Sequence, residues 1–238
     1  MRFVAILVIA VFAVAAPAIA QGVVGDLLAG KLVDPQVGQW AWYDLSSGRD
    51  SKKFVVRQAI VGEEKVGRKS GYWVEFEVVP EVGYRVVYKM LLTGPASDPR
   101  NIVRVIEKTG AEPAVELEVD PNASGEEAPK PERKPTGQED VATMNGVVSA
   151  EHYEVAQGGQ TMHLWINESI KPTGIVKLES LDGRMILRNY GEGGEYAKSV
   201  ITEQPISAAE AAKIRESQPE AAPEVQTHVD TETESNRN

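Results

Sequence analysis

The chain has 238 residues, a formal net charge of -10 and no cysteine. The lack of cysteine excludes disulfides, thiolate catalysis, thiolate metal sites and lipid attachment through a cysteine. The net negative charge, together with the lack of a cluster of basic residues, argues against nucleic-acid binding and against permanent adhesion to anionic lipid surfaces.

An apolar run begins at Val4, directly behind the single charge of Arg2. With about 13 residues it is too short to span a bilayer, and it is followed by Ala18 and Ala20, the small-residue pattern that a signal peptidase cleaves. The sequence therefore predicts a signal peptide at 1–20, cleavage after Ala20, and a periplasmic or secreted protein. The alternative is an uncleaved membrane anchor.

The segment 21–37 follows the predicted cleavage site and carries Val24, Leu27, Leu28 and Leu32 at helical spacing. These residues form a short apolar face, which two glycines weaken. We expect a short N-terminal helix here.

From residue 38 the apolar residues recur at every second position, which is typical of β-strands. Short glycine-containing turns separate the strands and predict antiparallel neighbours. About eleven strands are predicted, at 39–46, 53–62, 71–79, 83–92, 101–107, 114–120, 146–156, 160–168, 174–181, 184–191 and 198–203.

The strand at 71–79 has the clearest alternation. Tyr72 and Phe76 share one face, whereas Glu75 and Glu77 share the other. The pattern predicts a strand with one apolar side and one side in water. We expect the two carboxylates to be exposed.

Residues 121–140 combine four prolines with mixed charge and predict a flexible loop. One sheet built from both flanking halves buries more apolar surface than two small domains, so we predict a single β domain at 38–204. Ser207 and Glu210 have the spacing of a capping box and predict a short helix at the start of 205–238. The rest of that segment is predicted to be a disordered acidic tail.

His152 and His163 lie on adjacent predicted strands, where the two imidazoles are expected to approach each other. Two imidazoles supply half of a metal site, and no third ligand follows at a recognisable spacing. Ordinary polar-face or partly buried histidines are therefore favoured over a metal site or a hydrolase. With no GxSxG elbow and no phosphate-binding glycine motif, we predict no catalytic residue, no metal and no cofactor.

The aromatic residues lie almost entirely on the predicted strands, where they form either a closed core or the wall of a cavity. Burying a chain of about sixteen carbons contributes roughly 12 kcal/mol at about 0.8 kcal/mol per methylene, against association costs of about 4 to 15 kcal/mol. Reversible binding of an apolar ligand is therefore feasible without catalysis. The candidate cavity-wall residues are Trp42, Phe54, Tyr72, Phe76, Tyr88 and Trp165.

Several segments resemble those of an exported bacterial branch of the periplasmic lipoprotein-carrier-like (LolA/LolB-like) superfamily. They are GQWAWYDL at 38–45, VVRQAIVGEE at 55–64, GYWVEFEVV at 71–79, YRVVYKMLLTG at 84–94 and the run at 150–180. The resemblance implies a highly curved antiparallel sheet, a half-open β-barrel around a helical plug. It also implies an apolar concave face, which in the named carriers holds lipoprotein acyl chains.

Together these observations predict a mostly β, exported, non-enzymatic envelope protein that binds an apolar or lipidic ligand, such as an acyl chain, a lipid or a lipoprotein. The alternative is a structural or protein-interaction module of the envelope without a small-molecule ligand. In that case the sheet edge or the acidic tail is expected to meet another envelope protein.

Overall fold

The computed structural model describes residues 31–48, 52–96, 98–119, 132–157 and 160–217. The predicted signal peptide, the first part of the predicted N-terminal helix and the predicted acidic tail beyond residue 217 lie outside the described residues. Within the described part, no helix has both the length and the hydropathy needed to cross a membrane.

The described chain forms one sheet of twelve strands in the order β12-β6-β5-β4-β3-β2-β1-β11-β10-β9-β8-β7. One helix, α1 (Ala208–Ser217), follows the last strand. The strands are β1 (Gln39–Ser47), β2 (Lys53–Val66), β3 (Lys69–Pro80), β4 (Val86–Leu92), β5 (Ile102–Thr109), β6 (Val115–Leu117), β7 (Glu132–Thr143), β8 (Gly146–Gln157), β9 (Gln160–Ile166), β10 (Ile175–Ser180), β11 (Gly183–Glu192) and β12 (Ile206–Ser207).

The sheet is curled and open, not a closed barrel, and it is antiparallel except where β12 pairs parallel with β6. The predicted fold class, a highly curved sheet of about eleven strands with one or two short helices, is confirmed. Strands β7 and β12 form its two edges.

Within the predicted loop at 121–140, residues 132–140 belong instead to β7, which pairs with β8, and residues 121–131 lie outside the described part of the chain. The composition argued against a strand, since proline cannot donate to a β-ladder. An edge strand, however, has one side without a partner, and the register shifts between Pro135 and Gly137. A bulge on an edge strand is a position that accepts proline.

The predicted strand at 198–203 is absent; residues 193–205, which we call the strap, cross one face of the sheet instead. A short 3-10 turn at Glu195–Ala197 begins the crossing, and β12 follows it. The strap bonds partly to side chains rather than to a neighbouring strand: Arg57 donates to the carbonyl oxygens of Tyr196 and Lys198. The period-two pattern at 198–203 therefore reflects an extended chain that forms no β-ladder with a neighbouring strand.

The register gives the sheet two distinct faces. Tyr43, Val56, Val78 and Val86 lie side by side on the core face, which carries most of the buried apolar cluster. The neighbouring row on the other side, the strap face, contains Trp42, Arg57, Glu77 and Val87. The strap covers this second face, so both sides of the central strands are buried.

The two predicted helices have different outcomes. Helix α1 begins behind the predicted capping box, in which the Ser207 hydroxyl accepts from the Glu210 N–H at 3.2 Å and the Ser207 N–H donates to the Glu210 carboxylate at 3.3 Å. The described end of the predicted N-terminal helix, residues 31–37, is not helical. Asp34 has a positive φ of 43° and precedes a proline, which disfavours the α conformation.

Candidate functional site

Four of the six candidate cavity-wall aromatics, Phe54, Phe76, Tyr88 and Trp165, lie in the core cluster, and Tyr72 packs against that cluster. Phe76 is 1% exposed. Burial raises the pKa of Tyr88 well above its usual range, and the negative charge of Glu107 adds to the shift. These five side chains therefore belong to the packed core or lie against it.

Trp42, the sixth candidate, lies on the strap face rather than in the core cluster. Its ring meets Tyr196 of the strap edge to face, with 5.6 Å between centroids. Trp40 contacts the same tyrosine at 4.9 Å and donates its indole N–H to the Gly193 carbonyl at 3.0 Å. The two tryptophans therefore anchor the beginning of the strap.

A buried charge cluster lies farther along the strap. Arg57, 2% exposed, forms ion pairs with Glu75 and with Glu77, the latter at 2.8 Å. Glu75, 0% exposed, also accepts from the Ser199 hydroxyl at 2.6 Å and from the Val200 N–H at 2.8 Å. The prediction that Glu75 and Glu77 face water is wrong, because the strap covers them.

A groove with a largely apolar lining lies on the strap face, beyond the reach of the strap. It encloses about 500 Å³. Asp44 pairs in register with Val55 and with Ile186, and Val55 pairs with Val79, so the floor is one cross-strand row of four strands. The lining residues are Asp44, Leu45, Ser46, Lys53, Phe54, Val55, Val79, Pro80, Glu81, Arg184 and Ile186.

The groove has apolar side chains in its floor and charged side chains at its border. Val55, Val79 and Ile186 are half-buried, so their side chains remain partly in contact with water. Lys53 and Arg184 are exposed at its border. Of the six candidate aromatics only Phe54 borders this groove, and its parity with Val56 places its side chain on the core face, in the core cluster.

The turns at the same end of the sheet expose apolar side chains. The Glu81 N–H donates to the Lys53 carbonyl at 3.1 Å, and the Gly48 N–H donates to the Asp182 carbonyl at 2.9 Å, so these connections meet at one end. Val82 and Tyr84 follow β3, and Leu181 precedes β11; all three are largely exposed.

The two histidines do approach each other, as predicted. His152 Nε2 lies 3.0 Å from His163 Nδ1, and His152 Nδ1 lies 2.8 Å from a Glu139 carboxylate oxygen. The other oxygen of Glu139 accepts the Trp165 indole N–H at 2.8 Å. The pKa of Glu139 lies below its usual value, because the hydrogen bond from Trp165 and, next, that from His152 favour the carboxylate.

Stacking fixes the orientation of this histidine cluster. The rings of His152 and Trp165 are 4.3 Å apart and inclined by 5°. The ammonium of Lys177 lies 4.0 Å from the centroid of the Trp165 ring and forms an ion pair with Glu179 at 2.9 Å. Among the described residues, no group of three or more His, Cys, Asp or Glu side chains is arranged to hold a metal ion.

Neither a family model nor a curated protein matches this chain. Among solved structures, a candidate exported protein with a YmcC-like fold from Bacteroides fragilis matches 68% of this chain and 100% of its own, with a TM-score of 0.35 and 10% identity. A candidate lipoprotein from Parabacteroides distasonis matches 68% of this chain and 99% of its own, with a TM-score of 0.35 and 10% identity.

A third solved structure, PNGF-II, is matched over 75% of this chain with a TM-score of 0.39 and 8% identity. This chain covers 33% of the length of PNGF-II. The first two neighbours are thus described as an exported protein and a lipoprotein.

Proposed function

We propose that the protein is an exported, non-enzymatic component of the cell envelope that binds an apolar or lipidic ligand in the groove at the open end of the strap face. The observation that carries the proposal is the mostly apolar floor of that groove, in which Val55, Val79 and Ile186 lie in one row with Asp44. Its volume of about 500 Å³ lies within the range of small-molecule sites.

The half-buried state of the floor residues supplies the driving force. An acyl chain lying across β11, β1, β2 and β3 removes these side chains from water, and each methylene buried contributes about 0.8 kcal/mol. Because association itself costs about 4 to 15 kcal/mol, the expected affinity is moderate and the binding reversible. Reversible binding is what a carrier requires.

The groove border favours an anionic headgroup. Lys53 is exposed at this border, so its ammonium is accessible to a carboxylate or a phosphate. Arg184 is already paired with Glu179 at 3.3 Å, and Asp44 with Arg188 at 3.3 Å. Lys53 is therefore the group that we expect to form a charge-assisted hydrogen bond with the ligand.

The chemistry of the groove supports a binding role without catalysis. Its described lining holds Asp44, Ser46 and Glu81 but no histidine, so the pairing of a nucleophile with an imidazole base is missing from it. The histidine cluster lies on β8 and β9, whereas the groove is built on β1, β2, β3 and β11.

A second candidate function is an interaction module of the envelope. The exposed apolar turn residues Val82, Tyr84 and Leu181 favour it, because they project at the same end of the sheet. Apolar side chains clustered on a surface are typical of protein contacts. In this alternative the end of the sheet meets a protein partner, and no ligand occupies the groove.

Replacing Val55 with Asp is expected to weaken the binding of a fluorescent fatty acid by more than about tenfold, because a carboxylate in the floor must lose water and also repels an anionic headgroup. The measurement is a titration followed by fluorescence. Far-UV circular dichroism reports whether the variant is folded, and Ile186→Ser is the second variant if it is not.

The matched control is Val147→Asp, since Val147 is a strand valine that is 68% exposed and does not line the groove. This control is expected to bind as the wild type does. Equal binding by the wild type and both folded groove variants places the fatty acid elsewhere and contradicts the proposed site. No binding by the wild type favours the interaction module.

A further inference from the structure

The pair His152 and His163 is positioned to receive a metal ion between its facing nitrogens. His152 Nε2 and His163 Nδ1 are 3.0 Å apart. Two nitrogens bound to one ion at about 2.0–2.1 Å lie about 2.9 Å apart in adjacent square-planar positions and about 3.4 Å apart at a tetrahedral angle. An ion can therefore take the place of the shared proton at nearly the same separation of the two nitrogens, once the rings turn so that both lone pairs point at the ion instead of along the hydrogen bond.

The surroundings of His152 already have the arrangement that orients a metal-binding imidazole. Glu139 lies 2.8 Å from His152 Nδ1 and holds a proton there, which leaves the lone pair on Nε2 directed at His163. Trp165 restrains His152 by stacking on its ring, and it restrains Glu139 by donating a hydrogen bond to it. A carboxylate that orients a ligating histidine is the usual outer partner in metal sites.

We propose that His152 and His163 form a two-nitrogen binding site for a divalent transition-metal ion, and that Cu²⁺ is the ion that fits it best. Imidazole ligands suit copper, and Cu²⁺ has the highest affinity among the divalent first-row ions for nitrogen sites. In a square-planar site the two histidine nitrogens fill two adjacent coordination positions and solvent fills the other two, so no third protein ligand is required. The inference is independent of the groove.

Binding requires one change within the pair. While His163 Nδ1 donates its proton to His152 Nε2, that nitrogen has no lone pair for a metal. The proton must move to His163 Nε2, so that the ring stays neutral and Nδ1 becomes a ligand. Glu154 pairs in register with His163, which brings a carboxylate to the neighbouring position on the same face.

The test is a titration of the tag-free, metal-free mature protein with Cu²⁺ alone, followed by calorimetry and by electron paramagnetic resonance. The wild type is expected to bind one ion per chain with two nitrogen ligands. His163→Gln is expected to lose more than tenfold in affinity. Glu139→Gln is expected to lose about tenfold to 100-fold, because it removes only the orienting carboxylate.

The matched control is His228→Gln, which removes the third histidine of the chain, far along the sequence from the pair. It is expected to leave the affinity unchanged. The proposal fails if the wild type shows no 1:1 binding, if His163→Gln binds as tightly as the wild type, or if His228→Gln abolishes binding. If His163→Gln does not fold, the nitrogen count in the wild type decides, and fewer than two nitrogens contradicts the site.

Discussion

Replacing Arg57 with Ala is expected to lower the free energy of unfolding by about 3–5 kcal/mol. The substitution leaves Glu75 buried without its cation and Glu77 with only the partly exposed Arg85, and it removes the donors to the strap carbonyls of Tyr196 and Lys198. An uncompensated buried charge has a large desolvation cost. Urea denaturation followed by tryptophan fluorescence gives the change in stability.

The control for Arg57 is Arg104→Ala, which breaks the pair with Glu116 on the neighbouring strands β5 and β6. Both partners there are more than a third exposed, so the loss is expected to stay below about 1 kcal/mol. If Arg57→Ala lowers the free energy of unfolding as little as Arg104→Ala does, the result contradicts a buried charge cluster beneath the strap. Hydrogen exchange adds a local readout, since Arg57→Ala is expected to expose the strap amides first.

Replacing Phe76 with Ala is expected to destabilise the protein by about 3–5 kcal/mol. The ring is 1% exposed in the core cluster; Phe76 pairs in register with Tyr88, and the neighbouring row on the same face contains Val56 and Val78. Truncation therefore loses the transfer free energy of the ring and leaves a cavity. The same denaturation experiment measures the effect.

The control for Phe76 is Tyr84→Ala, since Tyr84 is an aromatic residue that is 77% exposed. It is expected to change stability by less than about 0.5 kcal/mol. A small effect of Phe76→Ala together with increased binding of fatty acids assigns this ring to a cavity wall instead of a packed core. In that case the ligand lies on the core face, and the groove proposal is contradicted.

The alternation of apolar residues predicted the central strands because one face of each is mostly apolar. Strand β3 is the clearest example: Val74, Phe76 and Val78 all lie in the core cluster. The capping box was equally readable, because Ser207 and Glu210 interact within one turn. Local chemistry of this kind does not depend on the rest of the fold.

The position of the strap depends on long-range contacts, which the sequence pattern does not contain. Glu75 and Glu77 alternate with apolar residues as they do on any strand with one solvated side. What distinguishes them is Arg57, 18 and 20 residues earlier, together with the strap more than 100 residues later. An arginine followed by a glutamine within the otherwise apolar run at 54–61 was the available signal.

The assignment of faces in β1 had the same difficulty. Four consecutive residues of this strand are apolar or aromatic, so the sequence allows either the even-numbered or the odd-numbered ones to face the core: Trp40, Ala41, Trp42 and Tyr43. Only the register separates Tyr43 in the core from Trp42 beneath the strap. The groove was not predictable for a related reason, since its floor unites residues of four strands.

The histidine pair was predictable in its approach but not in its surroundings. Adjacent strands joined by a short turn place His152 near His163 on one face. Glu139 comes from β7, which the proline composition concealed. Without this strand, neither the orienting carboxylate nor its bond to Trp165 is apparent.

Native mass spectrometry of the protein purified from its own envelope tests the central claim, that the groove holds an apolar ligand, most directly. We predict a mass increment from a lipid that carries an acyl chain, present in the wild type and in Val147→Asp and lost in Val55→Asp. A bare polypeptide mass for the wild type, together with failure to take up fluorescent fatty acids, contradicts the claim.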